Sequence, residues 1–540
     1  MDKSENRWVW VFAGMVMLIT SIPYLIGFAN QGTEWRFTGF VFGVEDGNSY
    51  IAKMLSGSLG AWRFQTPYTI EAQRGVFAFL PYLLWGKLAH GPALHEQLVG
   101  LFQLFRISAG ILEIFVTYQF IAFFTSMVAW RRFGLFLAIL GGGLGWLLVI
   151  FGQAGWMGSL PLEFYSPETF GFLGLYGLPH LALARSALLG GLLVYLSAIR
   201  DPGSHLFRNS IKIGLLWILV IVAQPLTALI MGGILGLYWL GLTALTYFSK
   251  SASMKPDRSI VKRGLLLLVG SAVLPAPFIL YNVIAFSTDP FLKQWTAQNL
   301  ILSPHPLHYL LAFGFIIPFV FVGGRRLARN APEIALLPIS WVLALPILAY
   351  APVNLQRRLP EGIWIALVVL AVQAFDDYPG KPKGLKREWA WLLLLPSLIS
   401  SLFLLAGGVA TAGHQAFPVY LPRDETMAFA YLSDHSKPGD VVLSSFETGN
   451  ALPAWSGNRV VIGHGPESVG LADLLPLVKM VYESSTLDEE RMHLINRWNV
   501  VYLIHGPAEE TLGDWDPNQA NYLSRVFKEG EYEVFRIVGR

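Results

Sequence analysis

The sequence predicts a polytopic α-helical membrane protein of about eleven spans, followed by a soluble α/β domain over residues 411–540. Three observations carry this. The 540-residue chain is 54% hydrophobic and only 14% charged, against about 25% in an average soluble domain. Several stretches run about 18 or more residues with almost no charge, the length that crosses a bilayer core as a helix. Near residue 411 the long apolar runs give way to short β-rich ones. The chain contains no cysteine, which excludes disulfides, thiolate metal sites and cysteine nucleophiles.

The first element is MDKSENRWVWVFAGMVMLITSIPYLIGF. It is charged, then apolar for longer than a signal-peptide core, and no small-x-small cleavage site follows, so it reads as an uncleaved first helix. Spans are expected near 9–27, 99–127, 133–152, 181–199, 211–223, 226–248, 264–286, 307–323, 333–350, 361–375 and 389–410. The fifth is short, and AQPL at 223–226 is either a hairpin tip or a kink.

Lys and Arg set orientation, because cytoplasmic loops are enriched in them. With the N-terminus inside, the cytoplasmic segments 1–8, 128–133, 200–212, 249–263, 324–332 and 376–388 hold 19 basic residues. The outer segments 28–98, 153–180, 287–306 and 351–361 are longer and hold 8. The C-terminal part then lies outside. Charge is sorted by loop rather than gathered into a patch, and no nucleic-acid partner is expected. The first outer loop, about 70 residues long, exceeds any simple connector. Its stretches YIAKMLSGSLGAW and GVFAFLPYLLWGKLA read as helices lying in the membrane interface.

In the C-terminal part, DVVLSS, NRVVIGHG, NVVYLIHG and YEVFRIV are short β-rich runs bounded by turn residues. DETMAFAYLSDHS and LADLLPLVKMVYESS have helical periodicity. There is no internal repeat, low-complexity tract or Walker-type loop. SSFETGN lacks the G-x-S-x-G pattern of a hydrolase elbow. Together with AWSGNR and GHGPE it is either an acceptor-binding rim, with His464 and Glu467, or ordinary turn chemistry. Trp455 either stacks on a sugar or fills the core.

Charges inside spans are costly and mark interiors or cavities. Arg106 and Glu113 share the second span, seven residues apart, and are expected to pair. Arg185 lies about a turn into the fourth span, with His180 at its mouth. APVNLQRRLPEG, 351–362, places Arg357 and Arg358 on a short outer loop, where basic residues are disfavoured. Such a pair either binds phosphate oxygens bidentately or snorkels and pairs with Glu361. The segment EDGNSYIAKM, 45–54, adds Glu45 and Asp46 on the same side. Asp46 reads both as a helix N-cap and as a base for an acceptor hydroxyl.

EDGNSYIAKM, GLPHLALARSALL, NLQRRLPEG and SSFETGNALPAWSGNRVVIGHGPE, on this architecture, resemble the GT-C superfamily of membrane glycosyltransferases, in a bacterial branch related to the protein O-mannosyltransferases and aminoarabinose transferases. The resemblance implies an enzyme of the bacterial inner membrane. It would transfer a sugar, with inversion, from a polyprenyl-phosphate or diphosphate carrier to a glycan, lipid or protein acceptor outside the cytoplasm. It places the first-loop acid on Asp46 or its neighbour Glu45. Carrier phosphate recognition falls, by chemistry, on Arg357 and Arg358 with Arg185 and Arg106. Tyr50, Lys53, His180 and Gln356 are expected to position substrate, or, for Tyr50 and Lys53, to anchor in the interface. Some members of the superfamily use a divalent metal; with a single outer acidic pair, no metal or other cofactor is expected here. The competing readings are a transporter or flippase for a lipid-linked glycan, which would line a path through the bilayer with charge, and a non-catalytic membrane scaffold.

Overall fold

The computed structural model describes residues 2–249, 255–377 and 383–538. Lys250 and Lys381, two of the basic residues counted for orientation, lie outside these ranges. The chain is a polytopic helical membrane protein. Among the described residues, seven helices are long and apolar enough to cross a bilayer: Lys3–Asn30, Leu94–Phe124, Pro179–Arg200, Leu206–Ala223, Pro225–Phe248, Pro332–Ala349 and Glu388–Ala412. Two helix pairs qualify if each counts as one broken span: Arg258–Ala272 with Ala276–Thr288, bent by 54°, and Pro306–Phe313 with Ile317–Asn330, bent by 70°. AQPL therefore separates two helices.

The remaining expected spans are shorter as helices. The glycines of GGGLG, 141–145, break the third into Val128–Leu140 and Trp146–Ile150. The tenth is the ten-residue helix Ile363–Val372, buried at every position. Elsewhere the apolar faces look outward: Leu343, Ile347, Leu392 and Leu395 are all exposed. In water such a surface would be unfavourable by about 25 cal/mol per Å²; in lipid it is at home.

The chain divides into two compact units. The first comprises residues 1–21, 106–284 and 300–407. Its core is built on large buried rings, and two of them give their polar hydrogens to backbone carbonyls, as a low-dielectric interior favours. Trp364 donates to Leu137 O at 2.8 Å, and Tyr195 to Gly264 O at 2.8 Å.

The second unit comprises residues 22–105, 285–299 and 408–540. The start of the first loop, β1 (Trp35–Phe37), pairs antiparallel with β2 (Tyr420–Pro422). A five-stranded mixed sheet contains β3 (Val441–Leu443), β4 (Arg459–Val460), β5 (Val500–His505), β6 (Leu523–Glu529) and β7 (Tyr532–Ile537), in the order β4-β3-β5-β7-β6. β4, β3 and β5 are parallel; β7 and β6 continue antiparallel.

Between β3 and β4 lies a helix, Phe446–Ser456, where the sequence reads as turns. Ser445 caps it by accepting from the Thr448 amide at 3.2 Å. This helix approaches the chain after β4 backbone to backbone. A Cβ on Gly449 would collide with Ile462 O, and one on Gly463 with Gly449 O.

The first-loop segment expected at the interface is instead largely buried. Helix Val44–Ser58 packs on Leu80–Gly86 and on Phe446–Ser456. A Cβ on Gly57 would meet Leu83 O, and one on Gly86 would meet Met54 O. The apolar surface of this loop is left to Leu59, Trp62, Phe77, Leu84 and Leu88, all exposed.

The glycine contact sets the path of residues 461–465. Gly463→Ala is expected to lower the unfolding free energy by about 1–3 kcal/mol, the usual range for overpacking. Thermal unfolding of the detergent-purified chain measures it. Gly439→Ala, where an added methyl would meet no atom within 4 Å but φ is +90°, separates the steric from the conformational cost.

Candidate functional site

Helix Val44–Ser58 begins on Gly43, which is left-handed at φ 56°, and Asp46 is not its cap. The expectation of an Asp46 N-cap is thereby corrected: the helix starts three residues earlier. Glu45 and Asp46 occupy its first turn, where the helix dipole favours negative charge. Asp46 Oδ1 lies 3.3 Å from His464 Nε2, and Glu45 Oε1 accepts from the Gly465 amide at 2.7 Å. Both carboxylates thus meet the GHG loop that follows the carboxyl end of a parallel strand, a common place for ligand sites in such sheets. Asp46 is 63% exposed and His464 4%, so solvent reaches the acid and not the imidazole.

Behind this pair lies a buried network. Lys53 Nζ contacts Glu467 Oε1 at 2.6 Å and also donates to Ser49 Oγ. Ser49 Oγ and Thr66 Oγ1 donate to Glu467 at 2.8 and 2.5 Å. The Lys53 ammonium sits over the rings of Phe79, Phe64 and Tyr50, at 4.6, 5.3 and 5.7 Å. Burial pushes the Glu467 carboxyl up, but Lys53, His464 and the hydroxyls outweigh it and hold it below the usual range. Burial also pushes His464 down, and Glu467 and Asp46 outweigh that and raise it.

Tyr50 stacks on Tyr82 with ring centroids 4.6 Å apart. Lys53 is fully buried and ion-paired, so neither interfacial anchoring nor direct contact with substrate describes it. Trp455 stacks on His95 at 3.5 Å, as a packing residue does. The sequence singled out His464 and Glu467 only as part of a turn-rich rim. The signal for their real setting is the glycine on either side of His464: Gly463 admits Gly449, and Gly465 admits the Glu45 carboxylate.

The arginines lie in the first unit. Arg106 donates to Thr20 Oγ1 at 3.2 Å and Ser21 Oγ at 2.7 Å, and Glu113 pairs with Arg185 at 2.9 Å. The expected Arg106–Glu113 pair is corrected: seven residues rise about 10.5 Å along a helix, and Arg185 comes closer. Arg185 also holds Glu361 at 2.6 Å and donates to Pro167 O and Glu168 O. These partners engage Nε, Nη1 and Nη2 alike, which leaves Arg185 a structural hub rather than a phosphate ligand. Glu361 being taken, Arg358 turns to Glu168 at 3.4 Å and remains 34% exposed. Arg357 lies over the Tyr165 ring at 4.3 Å. Gln356 opens the same single-turn helix, Gln356–Arg358, and His180 is half-buried in the first turn of Pro179–Arg200.

Among the described residues no group of three or more His, Asp or Glu side chains is placed to hold a metal ion. Near the exposed Asp46 the buried acid Glu467 is engaged by Lys53, Ser49 and Thr66.

These charges have measurable consequences. Removing one partner of a buried ion pair costs about 3–5 kcal/mol, so Arg185→Ala should lower the thermal midpoint sharply, while Arg357→Ala should leave it nearly unchanged. In the second unit, burial with Glu509 and Glu447 nearby pushes Glu425 to about 8. A raised carboxyl is protonated in the fold, so its contribution is intact below about pH 4.5 and is lost as pH rises toward 8. Glu425→Gln should therefore gain stability over wild type progressively between about pH 5 and 8, read as a widening gap in unfolding midpoints.

No family model and no curated protein sequence matches the chain. Solved structures do. The oligosaccharyltransferase AglB from Archaeoglobus fulgidus, in complex with an inhibitory peptide and a dolichol-phosphate, is similar with a TM-score of 0.55 at 14% identity, over 93% of this chain and 70% of that one. The arabinofuranosyltransferase AftD from Mycobacteria is similar with a TM-score of 0.57 at 14% identity, over 99% of this chain but only 40% of AftD. ArnT from Cupriavidus metallidurans, bound to undecaprenyl phosphate, gives 0.50 at 14% identity, over 97% of this chain and 98% of that one. All three are GT-C glycosyltransferases. At this identity the likeness establishes the fold, the one that the sequence resemblance implied.

Proposed function

We propose that the chain is a membrane glycosyltransferase that moves a sugar from a polyprenyl-phosphate or diphosphate carrier to an extracytoplasmic acceptor. The observation that carries the reading is Asp46, an exposed carboxylate in the first turn of the helix after the first span, backed by a buried imidazole. Support also comes from the fold, shared with AglB and ArnT, whose structures hold dolichol-phosphate and undecaprenyl phosphate respectively.

In this reading the acceptor hydroxyl gives its proton to Asp46 as its oxygen attacks the sugar C1. The bond from C1 to the phosphate oxygen breaks, the electron pair leaves with the phosphate, and the anomeric centre inverts. Arg357 and Arg358 recognise the carrier phosphate, because guanidinium binds such oxygens bidentately. Glu45 holds the loop through Gly465 rather than taking the proton. The mechanism is metal-independent. The topology that goes with it has eleven spans, with the short third and tenth counted, the N-terminus in the cytoplasm, and residues 411–540 outside the inner membrane of a bacterium.

Purified wild type, Asp46→Asn and Arg357→Ala, offered a panel of short-chain polyprenyl-phosphate sugars, test the reading by sugar release. Wild-type turnover that falls by about a hundredfold or more in Asp46→Asn, and about tenfold or more in Arg357→Ala, is expected for loss of a base and of a phosphate ligand. Tight binding without turnover, equal in all three proteins, would instead point to transport of the lipid-linked glycan.

A further inference from the structure

The GHG loop is held more rigidly than a turn requires. Ser468 Oγ accepts from the amides of Gly463 and His464 at 3.0 and 3.1 Å, and the Ser468 amide returns a bond to His464 O at 2.8 Å. Glu45 takes the next amide, at Gly465. The close approach of Gly449 to Gly463 fixes the chain from the other side. The imidazole packs beside the Tyr68 ring at 5.4 Å, and its buried Nδ1 has no hydrogen-bond partner among the described residues. Its Nε2 carries the proton in the contact with Asp46, since an ionised carboxylate can only accept.

The charges alternate along this line: Lys53, Glu467, His464, Asp46. The first three are buried, with side chains 1%, 5% and 4% exposed, against 63% for Asp46. Only the last member is open to a substrate. An exposed carboxylate in a first helical turn samples several rotamers, and a donor fixed by the backbone on three sides selects one of them.

We propose that His464 is the positioning residue for Asp46, its Nε2–H holding the carboxylate in the orientation that receives the acceptor proton. This rests on the reading of Asp46 as the acceptor base. His464 touches neither sugar nor phosphate; it acts through Asp46. The groups facing it are Asp46 and Glu467 on the acidic side, Lys53 on the basic side, and the Tyr68 phenol. The two acids dominate, so the imidazole keeps its charge to a higher pH than a free imidazole does.

The test compares wild type, His464→Leu and His464→Gln as full-length chains in detergent, with two readouts. The first is turnover of polyprenyl-phosphate sugars. His464→Leu fills the space without a donor, and a tenfold to hundredfold fall in kcat is expected, about the effect of misplacing a reacting group by an ångström. The donor KM should hold. His464→Gln keeps an N–H at similar reach and should recover most of the rate. The second readout needs no substrate. Carbodiimide coupling, which requires a protonated carboxyl, is followed at Asp46 by peptide mass spectrometry across pH, with Glu45 as internal reference. Its midpoint at Asp46 should rise by about one pH unit in His464→Leu, as the cationic neighbour is lost.

A shifted midpoint with no turnover in wild type would sink the transferase reading and keep the His464–Asp46 link. Turnover by wild type with neither readout altered in His464→Leu would overturn the positioning role alone. Equal loss of rate in both variants, with labelling unchanged, would make His464 a packing residue and overturn it as well.

Discussion

A buried cation, Lys53, ties the first loop to the C-terminal part of the second unit. The Lys53 ammonium is removed from water, a loss of solvation that only a well-placed partner offsets. Glu467 supplies that partner, and three aromatic faces enclose the remaining sides. The pair joins the first-loop helix to the chain beyond β4, residues more than four hundred apart in sequence. Thr66 ties the extended stretch after the helix to the same carboxylate. Three segments that share no local reason to meet are thus held by one oxygen pair.

The geometry of the exposed site follows from that pair. Asp46 and Lys53 lie seven residues apart, close to two turns, and so share a face of Val44–Ser58. His464 and Glu467 lie three apart on the facing chain. The acid of the helix meets the imidazole, and the lysine meets the second acid. Anchoring the inner end leaves the outer end little freedom, which is how a side chain exposed to solvent comes to have a defined neighbour. The glycines at 449 and 463 bring the facing chain against Phe446–Ser456, the helix on which Val44–Ser58 also packs.

Much of the fold was legible in the sequence because it rests on local physics. Apolar length marks the spanning helices, and β-branched runs mark β3, β5 and β7. β6, LSRVFKE, escaped because it is a polar edge strand with charged residues along it. NRVVIGHG gave a strand of only two residues, since its glycines carry the chain into the site. The unusual acids of the first loop were visible as an anomaly, whereas their partners were not. Nothing near Lys53 in sequence announces Glu467. A spacing of seven suggested Arg106 for Glu113, and only the packing of another helix reveals Arg185. Long-range charge pairing has no periodicity to read.

The Arg185 hub bears on how the first unit can be assembled in a membrane. Glu113 is synthesised 72 residues before its arginine, and Glu361 follows that arginine by 176. Each charge would enter lipid alone if helices were released one at a time, and a lone charge at that depth is strongly disfavoured. Helix Leu94–Phe124 must then be kept in a protected or polar environment until Pro179–Arg200 arrives, and both until the chain around Glu361 is made. Insertion of this protein is therefore a collective event, with its early helices waiting on its late ones.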